Sequence, residues 1–515
     1  MSQVLVVGSG VAAVAVSRRL LASDPTVQIT LLEAGGDFIA ADYRQWLDMI
    51  MSGVSPTRAY NDPVKDADIN TDGGMQLRGG RMLAKGGTTG HWGGWCPRLK
   101  PEDFALGEVK GDRALNWAIN YADFIDYYTQ AEIFLNVCGD STLTNPPRNQ
   151  GQYPFAATGY SAIDGVIMPA LERLGYGYEA MPVSRHPEKC RTTGTCVYCP
   201  FDAKYTAVSD LDRLLLEYAG RIELRLQSPV LAITMASPKQ AAGVEVLNPQ
   251  TGAKQFIAAD KIIVAAGTIE STKLLLASVS ERWPNGLGNQ GGHLGKHLVT
   301  HPFAIATGEI PNNQQRLADE LGFPTLACRH FDSPEYQELG KMYFLRYNQV
   351  SGINYDKRLL DGVSPAAIDD EVLNHSRVEL RGMIEAFDEP GNEVGLAPGT
   401  TALGLPRTKI QHREPEATLR ARKQHHQHLV GVLKEAGLKN IEDRSFWGNR
   451  VDHATSTCRM SVDAADGVVD GNLRVHDTDN LYLCSNAVFP NCGAVNPTLT
   501  LVGLALRLGN HLASA

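Results

Sequence analysis

Nowhere in the 515 residues is there a run of clustered lysine and arginine, and the formal net charge is -9. Nucleic-acid and anionic-membrane surfaces are built from such clusters, so neither partner is expected. No uninterrupted apolar stretch approaches the roughly 18 residues of a membrane-spanning helix. The first ten residues, MSQVLVVGSG, lack a positive n-region, a long apolar h-region and a small-residue cleavage site, and are therefore read as mature protein. Cysteine is sparse: the nine present are irregularly spaced, which in a chain without a signal fits reduced thiols better than a disulfide framework. A cytoplasmic setting is the expectation, although export with a partner subunit would leave the same sequence. Internal repeats and low-complexity tracts are also missing. What remains is 43% hydrophobic residues in a chain longer than one core usually serves, which predicts a soluble globular protein of two or more domains.

Residues Val4 to Val7 read as a short β-branched strand, followed by Gly8-Ser-Gly10-Val-Ala-Ala13 and the helical stretch VAVSRRLLAS. This is G-x-G-x-x-A with a strand before it and a helix after it, the context that a dinucleotide-binding motif requires. Gly8 permits the tight turn, Gly10 lets the backbone approach a pyrophosphate, and Ala13 is small enough for helix and strand to pack closely. The phosphate charge then meets the unpaired N–H groups and the dipole of the helix N-terminus. A second strand, VQITLLEAG, ends in Glu33, about twenty residues beyond the motif, where a carboxylate binds ribose hydroxyls. The bland alternative is a βαβ unit whose glycines only make a turn. The next strand of this type, in KIIVAAGTIESTKLLLAS, starts at Lys261, more than two hundred residues later. An NAD domain continues directly with βαβ repeats, whereas this one is interrupted as in flavoproteins, so the expected cofactor is FAD.

Further blocks follow in order: the glycine-rich run GGRMLAKGGTTGHWGGWCP from Gly79, IVAAGTIES, HATSTCRM, LYLCSNAVFP and NPTLTLVGLALRLGNHL. With GSGVAA and LLEAGG they resemble the glucose-methanol-choline (GMC) family of FAD oxidoreductases from residue 4 to residue 512. The HW dipeptide and the asparagine of NPTLT, where many members carry a second histidine, resemble most the sugar-oxidising branch of pyranose 2-oxidases and FAD-dependent glucose and fructose dehydrogenases. The resemblance implies an α/β fold, α+β overall. A Rossmann-type FAD domain would be assembled from residues 1–100, 200–300 and 450–515. Residues 101–199 would supply lid or interaction loops and a cysteine segment, and 301–449 a substrate-binding domain with a six-stranded antiparallel sheet. It also implies cofactor contacts at Arg81, Gly86, Gly87, Thr88, His91, Trp92, Val230, Ala266, Gly267, Asn486, Ala487, Pro497 and Thr498, beside Gly8, Gly10, Ala13 and Glu33. In pyranose 2-oxidases the histidine of the HW dipeptide carries the flavin 8α-methyl carbon covalently, and His91 matches it. Related bacterial dehydrogenases keep the dipeptide without the bond, so covalent attachment, noncovalent packing and a structural role for His91 all stay open.

Alcohol oxidation needs a base within hydrogen-bond reach of the hydroxyl, and histidine suits the task because its ordinary pKa lies near neutrality. Of fourteen histidines, His453 in Asp452-His-Ala-Thr-Ser-Thr-Cys-Arg-Met460 matches the family block H-x-x-G-T-C-x-M, with Ser456 in place of the glycine. Outside that block, a histidine in a C-terminal loop would more often be structural. Asn496 follows 43 positions later, and its amide can hold the same hydroxyl. It also reads as the N-cap of a helix with Pro497 at the first position, and that helix N-terminus can face the flavin pyrimidine. His293, His297 and His301 recur every four residues in GGHLGKHLVTHPF, but the intervening glycines and Pro302 weaken a helix, and no metal is expected there.

Cys190, Cys196 and Cys199 fall in the pattern C-x5-C-x2-C, followed by proline. Such grouping resembles iron–sulfur ligation. The bacterial glucose dehydrogenases that the chain resembles bind a three-iron cluster in the same region with one more residue in the second gap, and three thiolates do not complete a tetrahedral zinc site. A cluster, a reduced thiol group and a local disulfide remain open, and iron is not expected. The leading reading is FAD-dependent oxidation of a secondary hydroxyl of a sugar or glycoside to a ketone, with hydride transfer to flavin N5 and His453 as base. Oxygen, a quinone or another acceptor would take the electrons, with a homo-oligomer or a redox partner subunit as possible assemblies. The alternatives are a nonsugar, polycyclic or sterol-like alcohol, and a redox-inactive flavin-bearing interaction protein.

Overall fold

The computed structural model describes residues 2–39, 42–52, 69–72, 75, 80–149, 151–196, 198–311, 321–347, 358–368, 377–389, 391–445 and 451–514. Gly79, where the glycine-rich run starts, lies outside them.

The N-terminal motif folds as strand β1 (Gln3–Val7), helix α1 (Val11–Ser23) and strand β2 (Gln28–Leu32). Val4 to Val7 are all buried, as expected of a parallel strand covered on both faces. Five strands form this sheet in the order Leu481–Leu483, Lys261–Val264, β1, β2 and Ile222–Arg225, with every neighbouring pair parallel. Segments more than two hundred residues apart thus lie side by side. Ala13 and Ala15 have no exposed surface, and α1 packs against the C-terminal helix Thr498–Ser514. That approach is close, since a methyl on Gly509 would sit 2.7 Å from Arg19 Cβ.

The second sheet has six strands in the order Lys439–Asp443, Phe303–Glu309, Arg377–Ile384, Met342–Tyr347, Leu326–Cys328 and Tyr178–Ala180, all antiparallel to their neighbours. The period of two along a strand divides its side chains between two cores. Phe303, Ile305, Tyr343, Leu345 and Met383 face the core shared with the parallel sheet. Ala304, Ala306, Met342, Phe344, Leu380 and Ile384 join a separate core. That second core is closed by Leu429, Val432 and Leu433 of helix Glu416–Glu435 and by Ile167 and Leu171 of helix Asp164–Arg173. The edge strand Tyr178–Ala180 and the helices Tyr121–Phe134 and Asp164–Arg173 come from the stretch read as loops, because buried Phe124, Tyr128 and Ala131 give it an amphipathic helix between its Pro- and Asn-rich breaks. No helix among the described residues is long and apolar enough to cross a membrane.

Candidate active site

Four strands of the parallel sheet end at one crevice. The residues that follow them, Gly8, Glu33, Ala265 and Cys484, all line a single cavity that is partly open to solvent. Ligands of parallel α/β sheets bind at this position, outside the carboxyl ends of the strands. Gly8 has φ +104°, and a Cβ there would lie 2.5 Å from the Ala265 carbonyl oxygen, so only glycine lets the two strand ends meet. Gly10, the N-cap of α1, has an ordinary φ of -71°, and a Cβ on it would meet nothing within 4 Å. Its glycine character serves open space that belongs to the cavity.

The glycine-rich loop crosses directly over this turn. A Cβ on Gly87 would come 3.4 Å from Gly10 Cα, and one on Gly86 (φ +82°) would collide with Val208 at 2.3 Å. Ser9 joins the two loops: its Oγ accepts from the Gly86 N–H at 3.1 Å and donates to Glu33 Oε2 at 2.6 Å. The other Glu33 oxygen accepts from the Gly35 N–H at 2.9 Å. Burial pushes the Glu33 carboxyl above its ordinary range, against these hydrogen bonds, which pull it down.

Of the expected cofactor contacts, Gly8, Gly10, Glu33, Arg81, Gly87, Thr88, Val230, Ala266, Gly267 and Asn486 line the cavity. Ala13 is buried behind it between α1 and the sheet. Gly86, His91, Trp92, Ala487, Pro497 and Thr498 are not part of its wall. Glu270 and Lys273, which sequence reasoning did not single out, are. Lys273 Nζ lies 3.0 Å from Glu270, and Arg81 pairs with the same carboxylate. The available signal was their i, i+3 spacing on the first turns of helix Gly267–Ala277, immediately after the Lys261–Val264 strand. Asn486 Oδ1 is buried without a partner among the described residues, in a short turn whose Ala487 and Val488 carbonyls accept from the Cys458 and Met460 N–H groups, both at 2.8 Å.

His91 follows the short turn Gly87–Gly90 and is half-buried. Trp92 is anchored at both ends: its Nε1–H donates to the Tyr205 carbonyl at 2.9 Å, and its own carbonyl accepts from Lys204 Nζ at 2.8 Å. Burial lowers Lys204 to about 8.

His453 sits between two wall residues, Asp452 and Ala454, and is 8% exposed. Its Nε2 lies 3.2 Å from Asn496 Nδ2, so the two residues paired across 43 positions in sequence are in contact. Its Nδ1 lies 3.1 Å from His301 Nδ1. Phe303, at the start of its strand, packs beside it with ring centroids 6.1 Å apart. The helix after Asn496 starts at Thr498, and the Leu501 N–H donates to the Pro497 carbonyl at 3.0 Å. Among the described residues Asn496 Oδ1 accepts from no protein group, so Asn496 does not make the side-chain helix cap that its sequence context suggests; its amide is turned to His453 instead. Ser456 adopts φ +74°, a left-handed conformation that accounts for glycine in the family block at this position.

The three evenly spaced histidines do not share a helical face, since residues 291–300 form turns and irregular chain. His293 Nδ1 and His297 Nε2 are 3.1 Å apart, with Asp388 2.8 Å from the far nitrogen of His297, while His301 is buried against His453. Cys190, Cys196 and Cys199 converge on one small cavity beside Lys204, and every cysteine is a free thiol, so no local disulfide is formed. Cys196 Sγ accepts from the Gly322 N–H at 3.2 Å, and burial raises its pKa to about 12. Among the described residues, no group of three or more His, Cys, Asp or Glu side chains is placed to hold a metal ion.

Two family models, both described as GMC oxidoreductase, match residues 116–303 and 380–505. The fructose dehydrogenase large subunit of Gluconobacter japonicus is 25% identical over 447 residues, covering 84% of this chain and 81% of that protein. The 6'''-hydroxyparomomycin C oxidase of Streptomyces lividus is 28% identical over 451 residues, covering 83% and 78%. Among solved structures, pyridoxine 4-oxidase from Mesorbium loti superposes with a TM-score of 0.63 at 17% identity over the full length of both chains, a likeness of fold.

Proposed function

Because the chain belongs to the GMC oxidoreductase family and is an FAD-dependent enzyme acting on CH–OH groups, we propose that it oxidises a hydroxyl of a sugar or glycoside, with a secondary hydroxyl going to a ketone. The observation that carries this reading is the His453–Asn496 contact beside the cavity. The sugar and aminoglycoside names of the relatives support the substrate class. A nonsugar alcohol is the second reading, favoured by the 23% identical 2-methyl-1,2-propanediol dehydrogenase of Mycolicibacterium austroafricanum.

The residues present fit FAD. Open space above Gly10 at the N-terminus of α1 suits the pyrophosphate, Glu33 suits a ribose, and Asn486 Oδ1 is a buried acceptor in need of a donor. When bound, the flavin supplies the acceptor for the carbinol hydride. The protein's own part is to hold the hydroxyl and remove its proton. His453 Nε2 is the base, and the Asn496 amide beside it orients the hydroxyl, since it can donate and accept but take no proton. His453 is nearly enclosed, which keeps bulk water from competing for that nitrogen. Electrons then pass to oxygen, a quinone or another acceptor, and the large-subunit relative supports a partner subunit in that step.

The test is anaerobic bleaching of the flavin by a panel of sugars, glycosides and simple alcohols. His453→Ala should remain yellow and folded, yet reduce its flavin roughly 10²- to 10⁴-fold more slowly, the range for loss of a general base. Reduction at the wild-type rate would remove His453 from the mechanism.

A further inference from the structure

We propose that His301 is a positioning residue that holds His453 as the Nδ1–H tautomer and so leaves the lone pair on Nε2; this rests on the reading of His453 as the base. His301 has no exposed surface, and its ring stands at 89° to that of His453 with centroids 5.1 Å apart. His301 Nε2 lies 3.2 Å from the Gly493 carbonyl oxygen. A carbonyl only accepts, so that nitrogen carries the hydrogen. Neutral imidazole has one N–H, and His301 Nδ1 is therefore a lone pair. Across 3.1 Å it faces His453 Nδ1, which must be the donor. The single N–H of neutral His453 is then used, and Nε2 is left bare opposite the Asn496 amide, whose Nδ2 can only donate.

The opposite tautomer breaks two contacts together. An Nε2–H on His453 would meet the amide N–H of Asn496, and its bare Nδ1 would meet the bare Nδ1 of His301. Rotating the Asn496 amide repairs the first clash and leaves the second. His301 thus discriminates between tautomers where Asn496 alone does not.

His301 is also fixed in its neutral state. Burial, with His453 as a second cause, lowers it to about 3, and the charge of Asp452 and the carbonyls of Gly493 and Cys492 only partly oppose this. In the proton step the substrate O–H bond breaks and an N–H bond forms at His453 Nε2, giving an imidazolium whose Nδ1–H is still held by His301. His301 does not take that proton onward, so the charge stays beside the reacting atoms.

Two arms test this on the FAD holoenzyme. In ¹⁵N-histidine-labelled protein, with the His453 signals identified by their loss in His453→Gln, Nδ1 should show the protonated and Nε2 the unprotonated shift; the reverse assignment overturns the proposal. The second arm is stopped-flow anaerobic flavin reduction with D-fructose and paromamine as probes. His301→Leu removes the acceptor and should lower the limiting rate roughly tenfold to hundredfold with KM little changed, the cost typical of a lost orienting partner. His301→Asn, whose Oδ1 can replace the Nδ1 lone pair, should recover most of the rate. Equal slowing in both variants would mean packing rather than acceptance, and wild-type rates in both would mean no role, so either sinks the idea. If His301→Leu does not fold, the spectrum of the wild-type holoenzyme still decides. A wild-type rate in His453→Gln would instead defeat the reading of His453 as base while leaving its tautomer measurable.

Discussion

Replacing each glycine of the G-x-G turn by alanine should separate folding from cofactor binding, because the two sites differ in what a methyl group meets. At Gly8 it would lie 2.5 Å from the Ala265 carbonyl oxygen and 2.9 Å from its carbon, both backbone atoms, in a residue with φ +104°. The unfavourable backbone conformation costs about 1–2 kcal/mol and the forced shift of two packed strand ends about 1–3 kcal/mol more. Together these consume a large share of a stability of about 5–15 kcal/mol. At Gly10 the φ of -71° suits any residue and no atom lies within 4 Å. Gly10→Ala should therefore change the apoprotein's stability by no more than about 1 kcal/mol, since the less flexible unfolded chain offsets a poorer N-cap. The same methyl stands where the proposed FAD placement brings the pyrophosphate closest. A hundredfold loss of FAD affinity is the expected scale, about 2.8 kcal/mol. Thermal unfolding of the apoproteins and titration by flavin fluorescence quenching measure the two effects. FAD bound by Gly10→Ala within about threefold of wild type would place the phosphates elsewhere and refute the reasoning.

Because His91 is not part of the cavity wall, acid precipitation of the holoenzyme should release the flavin into the supernatant; flavin retained in the pellet, and released by His91→Ala, would establish a covalent bond. Stability should fall on acidification from about pH 6.5 towards 4, because burial lowers His412 and His425 to about 4 and His301 to about 3, so the unfolded chain binds protons that the folded chain refuses. This contribution is full above the ordinary histidine pKa and is lost as pH drops through the folded values; with all three groups engaged the slope reaches about 4 kcal/mol per pH unit, and a pH-independent midpoint between 6.5 and 5 in thermal melts would contradict it.

The dinucleotide half of the site was legible because its chemistry is local. Gly8, Gly10 and Ala13 act through the backbone of one turn and one helix, and their spacing already states what each must do. Glu33 is readable for the same reason, at the end of the very next strand. The His453–Asn496 pair was reachable only through the likeness of two whole blocks, since no periodicity links positions 43 apart, and its context suggested a helix cap that the folded chain does not use. Glu270 and Lys273 were passed over because ordinary helix-surface residues show the same spacing; only the folded chain turns them into a cavity.

His301 shows most clearly where reading by spacing fails. Its four-residue interval to His297 points along the chain, towards partners it does not have. Its actual partner, His453, is 152 residues away and reaches it only because the strand Phe303–Glu309 begins at the junction of the two sheets. The strand serves both cores by alternation, so Phe303 is fixed beside His453 by the hydrophobic demands of the sheet, and His301, two residues earlier, enters the same junction fully buried. A buried imidazole there must find a donor and an acceptor; the Gly493 and Cys492 carbonyls accept, and His453 Nδ1 lies across from its other nitrogen. The requirement to satisfy a buried polar group and the proposed requirement to present a bare nitrogen to a hydroxyl are thus met by one pair of hydrogen bonds, so the tautomer we propose for His453 follows from packing rather than from any motif.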